Sequence, residues 1–228
     1  MELTPEKIRL ILIYVLVLVI SVAFHEFGHA IVAHKLGDDT PSRQGRVTLN
    51  PLAHADPIGT LLLPLAGSLF ASVNGFGGGF GWGKPVEWQP HRVTRKISMA
   101  TAKILVAIAG PAMNVVLAVV VALVHVILLS QQVIAPDSAV NMFLALAVQM
   151  NFVLFFFNLL PVPPLDGGHV AQSFVPYRHR DAYDQVAKYG PFVLLAVMLI
   201  PQVSFVFRWP AQFLSLHLYQ LFGRLFGL

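Results

Sequence analysis

The sequence predicts an all-α polytopic membrane protein with about four full transmembrane helices and one re-entrant or partial span. Three observations carry that expectation. Of 228 residues, 56% are hydrophobic and only 11% charged, against about 25% charged in soluble domains. Mean hydropathy is +0.70. The apolar residues also fall into runs long enough to cross a bilayer, separated by loops that hold most of the lysines and arginines.

No polar stretch is long enough to build a second core, so residues 1–228 read as one integral membrane domain. Its core lies at about 6–170, with a further span and an interfacial tail in 189–228. A net charge of +4 would suggest nucleic acid in a soluble protein; here the basic loops read as topology signals, and nucleic-acid binding is excluded. Cysteine is absent. Disulfides and thiolate metal sites are therefore ruled out, and any metal must be held by histidine and carboxylate. The N-terminus is not a signal peptide by pattern, because Glu2 and Glu6 dilute its positive charge and no A-x-A site follows.

The first helix is expected from about Glu6 to Leu36, stopped by Gly37. From Ile8 to Phe24 its only charge is Arg9. Next comes His25-Glu26-Phe27-Gly28-His29, an H-E-x-x-H pattern. At 3.6 residues per turn His25 and His29 share a face, so two imidazoles reach one ion, with zinc the expected metal. Glu26 is offset by about 100°, outside the coordination shell but near enough to take a proton from a water on the metal. Two histidines and a glutamate in such a helix cost several kcal/mol unless partnered, which marks the cluster as functional.

Gly37 to Pro57 is a polar loop whose Asn50-Pro51 and Asp56-Pro57 pairs mark turns. His54 within it is either a turn residue or a further polar group near the metal. Ile58 to Val73 is a short apolar run broken by Gly59, Pro64 and Gly67, which suits a re-entrant span. The glycine-rich stretch Gly75 to Gly83 nearly spells a phosphate-binding loop, but Pro85 stands where serine or threonine is needed, so nucleotide binding is rejected. It is read as a flexible interfacial loop, a candidate gate or substrate edge. The most basic loop follows, with Lys84, Arg92, Arg95, Lys96 and Lys103.

The third apolar segment, about Ala100 to Leu129, contains Gly110-Pro111-Ala112-Met113-Asn114. Asn114 places an amide inside the bilayer, for interhelical hydrogen bonding or for the site. The fourth runs from about Ser138 to Leu160 and leads into Pro161, Pro163, Pro164 and Leu165-Asp166-Gly167-Gly168. Prolines and glycines present Asp166 on an irregular segment at membrane depth, tolerated only where protein buries it or it lines a wet cavity. Asp166 is thus the candidate third zinc ligand. A fifth span is expected from about Gly190 to Phe207, interrupted by Pro201, and Arg208 to Leu228 as an interfacial amphipathic tail. His125, His179 and His217 show no partner spacing and are assigned structural or interfacial roles.

If His25, His29 and Asp166 bind one ion, the first and fourth segments must run in the same direction. Ile58 to Val73 then does not cross, and the basic loops at Arg43/Arg46, Lys84 to Lys103 and Arg178/Arg180/Lys188 all face the cytoplasm.

These motifs together resemble the site-2 proteases, intramembrane zinc metalloproteases of peptidase family M50, in a compact prokaryotic form without PDZ or CBS domains. The resemblance rests on His25 to His29, on Gly110-Pro111 with Asn114, and on Asn158 through Pro164 into Leu165-Asp166-Gly167-Gly168. It implies one zinc per chain held by His25, His29 and Asp166, Glu26 as the catalytic base, and Asn158 as a residue that positions substrate or stabilises the oxyanion. It implies further a transmembrane protein substrate and a multi-pass location in the cell membrane, with the site toward the cytoplasm. Two other readings use the same residues: a zinc transporter, for which the missing internal repeats speak against, and an inactive relative serving as a membrane adaptor.

Overall fold

The computed structural model describes residues 4–74, 81–94 and 96–227, and all regular structure among them is helical. Helix α1 spans Pro5–Lys35. The Thr4 hydroxyl caps it by accepting from the Lys7 amide at 3.4 Å, and Pro5 supplies the preset φ of a first helical residue. It ends as expected at Gly37, whose φ of 105° a side chain would resist. The following loop carries two four-residue helices, α2 at Thr40–Arg43 and α3 at Pro51–His54.

A six-residue π-helical turn, Pro57–Leu62, leads into α4 at Leu63–Asn74. Asp56 caps the turn through the Ile58 and Gly59 amides. Pro64 has no N–H to return to the Thr60 carbonyl, one physical reason for irregular winding here. The chain comes back through Gly81 to Trp88, a stretch without helix. Trp82 N–H donates to Gly59 O at 3.0 Å and Lys84 N–H to His54 O at 2.9 Å. Gly75 to Phe80 of the glycine-rich stretch, and Arg95, lie outside the described residues.

Helix α5 covers Met99–Ser130, capped by Ser98, and α6 covers Ala139–Asn158, capped by Ser138. With α1, these are, among the described residues, the three helices long and apolar enough to cross a membrane. Leu12 and Leu16 on α1 and Val120 and Val124 on α5 point outward and are exposed. Apolar surface facing out as well as in fits lipid, not water, as the surroundings. Leu18 and Val22 of α1 pack on Ala147 and Met150 of α6, while His125 near the end of α5 meets Asn141 near the start of α6. So α1 and α6 run in the same direction and α5 runs opposite.

Two expectations need correction. Asp166 does not sit on an irregular segment: it is the first residue of a short helix, α7, at Asp166–Phe174, and the irregular turns precede it. The tail is not a separate interfacial helix beginning at Arg208. After α8 (Arg180–Ala187) and α9 (Gly190–Leu199), α10 runs unbroken from Pro201 to Phe226, and α9 and α10 meet at a 71° bend. Taken together the bent pair has the length and composition of one broken span or of a re-entrant loop. Arg208 does not end the helix because packing continues beyond it: Ala211 is wholly buried against Ala118 and Ala122 of α5 and Val148 and Phe152 of α6. Such small residues let helices approach where lipid offers no hydrophobic incentive to pack. His125 is structural, bonded to Tyr219 Oη of α10 at 2.7 Å and to Asn141 Oδ1 at 2.8 Å. His179 and His217 make only local bonds, to Arg178 and to Phe213 O.

Candidate metal centre

The helical repeat places His25 and His29 one turn apart on α1, with Nε2 atoms 3.0 Å from each other. Asp166 of α7 faces both, its Oδ2 3.1 Å from His25 Nε2 and its Oδ1 3.3 Å from His29 Nε2. Among the described residues these three form the one group of histidine and carboxylate atoms close enough to share an ion, all within 4.8 Å of one another.

The far side of each imidazole fixes which nitrogen carries the proton. His29 Nδ1 is 2.7 Å from the Val106 carbonyl, which can only accept, so Nδ1–H donates there and the Nε2 lone pair faces the site. Pro111, inside α5, has no N–H to return to the carbonyl of Ala107, the residue next to Val106. His25 Nδ1 is 2.8 Å from Asn114 Oδ1 and donates likewise. Three lone-pair donors therefore converge with no proton between them, and Asp166 Oδ2 is buried without a hydrogen-bond partner. Among the described residues no lysine or arginine pairs with Asp166 or Glu26. Two carboxylates in a membrane-depth pocket with that arrangement fit a cation, and an imidazole, imidazole and carboxylate set is zinc chemistry.

Glycines make the room. A Cβ at Gly110 would overlap both site imidazoles, and one at Gly28 would meet the Ala109 backbone and Met113, so α1 and α5 touch closely here. At Gly167 a Cβ would strike the Leu159 and Leu160 carbonyls, and at Gly168 the Val162 and Pro163 backbone. The proline-rich turn thus lies directly against the first turn of α7 and sets where Asp166 points. Tyr183 Oη adds a bond to the Gly168 carbonyl at 2.7 Å.

Glu26 sits beside the cluster, and its Oε2 accepts the Val86 N–H at 3.1 Å. That main-chain donor has no signature in the sequence and was not anticipated. Asn158, at the end of α6, lines the same cavity and gives one amide proton to Leu154 O at 2.9 Å, leaving the other free to donate. The cavity has a volume of about 1570 Å³, with apolar walls from Leu18, Val22, Phe157 and Phe207 and polar groups at Glu26 and Asp166. His54 is not in the cluster. It is buried and bonds Thr48 O at 2.9 Å, as a turn residue would.

Comparison with known proteins agrees with this chemistry. Residues 125–201 match the family model for peptidase family M50. The Bacillus subtilis protein named "Putative zinc metalloprotease YwhC" is 38% identical over 199 residues, covering 86% of this chain and 84% of its own. Rip2 of Mycolicibacterium smegmatis, which carries the same description, is 31% identical over 192 residues, covering 83% of this chain and 66% of its own length. Rip2 of Mycobacterium tuberculosis is 30% identical over 185 residues, 81% of this chain and 66% of its own. No solved structure matches the chain.

Proposed function

Because this chain belongs to peptidase family M50 and is a zinc metalloprotease, we propose that it hydrolyses peptide bonds within or beside transmembrane segments of other membrane proteins. His25, His29 and Asp166 hold the zinc, and Glu26 is the general base. The observation that carries the reading is the convergence of Asp166 on two histidines of a helix of membrane-spanning length, at the wall of a large apolar cavity.

Zinc in such a site supplies Lewis acidity toward a carbonyl and lowers the pKa of water to about 7. Glu26 accepts the proton of the attacking water and passes it to the leaving amine. The Val86 amide holds one carboxylate oxygen and leaves the other for that transfer. Asn158 directs its free amide proton at the scissile carbonyl oxygen as charge develops there. A transmembrane helix keeps its carbonyls in i to i−4 bonds, so substrate must unwind before attack. The non-helical stretch from Gly81 to Trp88, bonded to Glu26 through Val86, is the surface along which the unwound strand lies. The basic loops at the α1 C-terminus and α5 N-terminus support a site that faces the cytoplasm.

The test is zinc content per chain together with the position of cleavage. Wild type should carry about one zinc and Asp166→Ala far less, with cuts in a model substrate mapping by mass spectrometry to its apolar segment. Full zinc in Asp166→Ala would remove Asp166 from the ligand set. Cuts confined to soluble loops would sink the intramembrane assignment.

A further inference from the structure

Asn114 can hold the His25 tautomer only if its own amide is oriented, and the residues that orient it lie on two other helices. Asn114 Nδ2 donates to the Ser21 carbonyl at 3.2 Å and to Asn151 Oδ1 at 2.8 Å. Asn151, on α6, in turn donates from Nδ2 to the Ala147 carbonyl at 2.8 Å and to Ser21 Oγ at 2.9 Å. Ala147 O and Ser21 O can only accept, so neither amide can flip without setting two acceptors face to face. All three side chains are fully buried: Ser21 at 1%, Asn114 and Asn151 at 0% exposure.

We infer that Asn151 is a positioning residue for the metal centre, acting through Asn114 on His25. Its carbonyl oxygen captures one Asn114 amide proton while the Ser21 carbonyl takes the other, turning Asn114 Oδ1 toward His25 Nδ1 and keeping the His25 Nε2 lone pair available. Without that acceptor only the Ser21 carbonyl still opposes a turn of the Asn114 NH2 toward His25, so the share of His25 protonated at Nε2, with no lone pair for the metal, rises. The relay also ties α6, whose C-terminal end leads to Asp166, to the tautomer of a histidine on α1. Both halves of the ligand set thereby depend on one register between α1, α5 and α6. Groups one step behind a ligand commonly change metal affinity by about 10- to 100-fold.

This inference rests on the assignment of zinc to His25, His29 and Asp166. It is tested by zinc dissociation constants from chelator competition, with melting of the metal-free protein measured alongside. Asn151→Leu should weaken zinc about tenfold. Asn151→Asp, held neutral by full burial, keeps an acceptor oxygen toward Asn114 and an O–H toward the Ala147 carbonyl, and should stay within about threefold of wild type. In an Asn114→Leu background, Asn151→Leu should add nothing, since the relay is already cut. Unchanged affinity in Asn151→Leu, or an equal loss on top of Asn114→Leu, would overturn the relay and leave Asn151 a packing residue. If Asn151→Leu does not fold, Ser21→Ala decides. It removes one hydroxyl and no bulk, and should weaken zinc about threefold while the metal-free melting temperature stays close to wild type; no change in affinity refutes the inference. Wild type that binds no zinc would defeat the ligand assignment itself, a result distinguishable from failure of the relay alone.

Discussion

Gly110→Ala is the sharpest single-atom perturbation of the metal centre. The added methyl would lie 2.8 Å from His25 Cε1, and closer still to the His29 ring, where ordinary contact begins near 3.4 Å. Relieving the His25 contact alone needs about 0.6 Å of retreat by α5 or by the rings, the difference between those two distances. Relieving His29 needs more. A metal constellation tolerates roughly 0.5 Å of misplacement. Overpacking costs about 1–3 kcal/mol, which corresponds to roughly 5- to 150-fold in zinc affinity if the imidazoles carry the strain. They are the groups that give, because without metal both rings can rotate off their bonds while the α5 backbone is locked against Gly28. Intrinsic propensity favours alanine over glycine in a helix by about 1 kcal/mol, so the metal-free fold should not lose stability. Chelator competition should therefore report a weakening of roughly tenfold or more, with the chelated protein melting at or slightly above the wild-type temperature. Wild-type zinc affinity in Gly110→Ala would refute the claim that this glycine exists to admit the imidazoles. Lower melting of the chelated form with zinc affinity intact would show that it serves helix packing instead.

Other outcomes follow from the same geometry. Glu26→Gln should retain its zinc while cleavage falls by about 10²- to 10⁴-fold, the usual worth of a general base; zinc lost along with activity would mean Glu26 is a ligand. Burial opposes ionisation of Asp38, but bonds from the Thr40 hydroxyl and the Gln89 and Thr40 amides outweigh it and hold its pKa below the usual carboxylate value. Ionised Asp38 thus contributes stability fully above its unfolded pKa of about 3.9 and loses it as pH falls through the lower folded value. Asp38→Asn should melt below wild type at pH 7, and the gap should close in acid; a gap independent of pH would contradict this. Tyr219→Phe deletes the bond to His125 and should lower stability by about 0.6 kcal/mol, read by thermal melting, with zinc affinity unchanged. Loss of zinc in that variant would mean that α10 shapes the metal centre, against the packing role given to it.

How much of this was legible in the sequence depended on whether a residue announces its role by type and spacing. His25 and His29 do, because the helical repeat alone puts them on one face. Asp166 was legible as a charge where prolines and glycines break an apolar run, although its place at the start of α7 was not. Asn151 carried no signal: one amide in an apolar run reads like any interhelical bond, and only the packed geometry joins it to Asn114 and Ser21. The expected boundary between the fifth span and the tail falls at Arg208 because a charge in an apolar stretch looks like an end. The structure shows packing through Ala211 and Tyr219 carrying the helix past it. Gly167 and Gly168 read in the sequence as part of an irregular segment; their use is to let the preceding backbone lie against α7.

The Val86 amide has a consequence for how this protein should be dissected. The donor to Glu26 belongs to the main chain, so replacing the Val86 side chain leaves it in place. A mutational survey would score the position as tolerant and pass over it. Proline is the one genetically encoded residue that deletes the N–H, so the position's importance would surface as an isolated intolerance to proline. Replacing the amide by an ester through chemical synthesis would remove the same hydrogen with little change of shape.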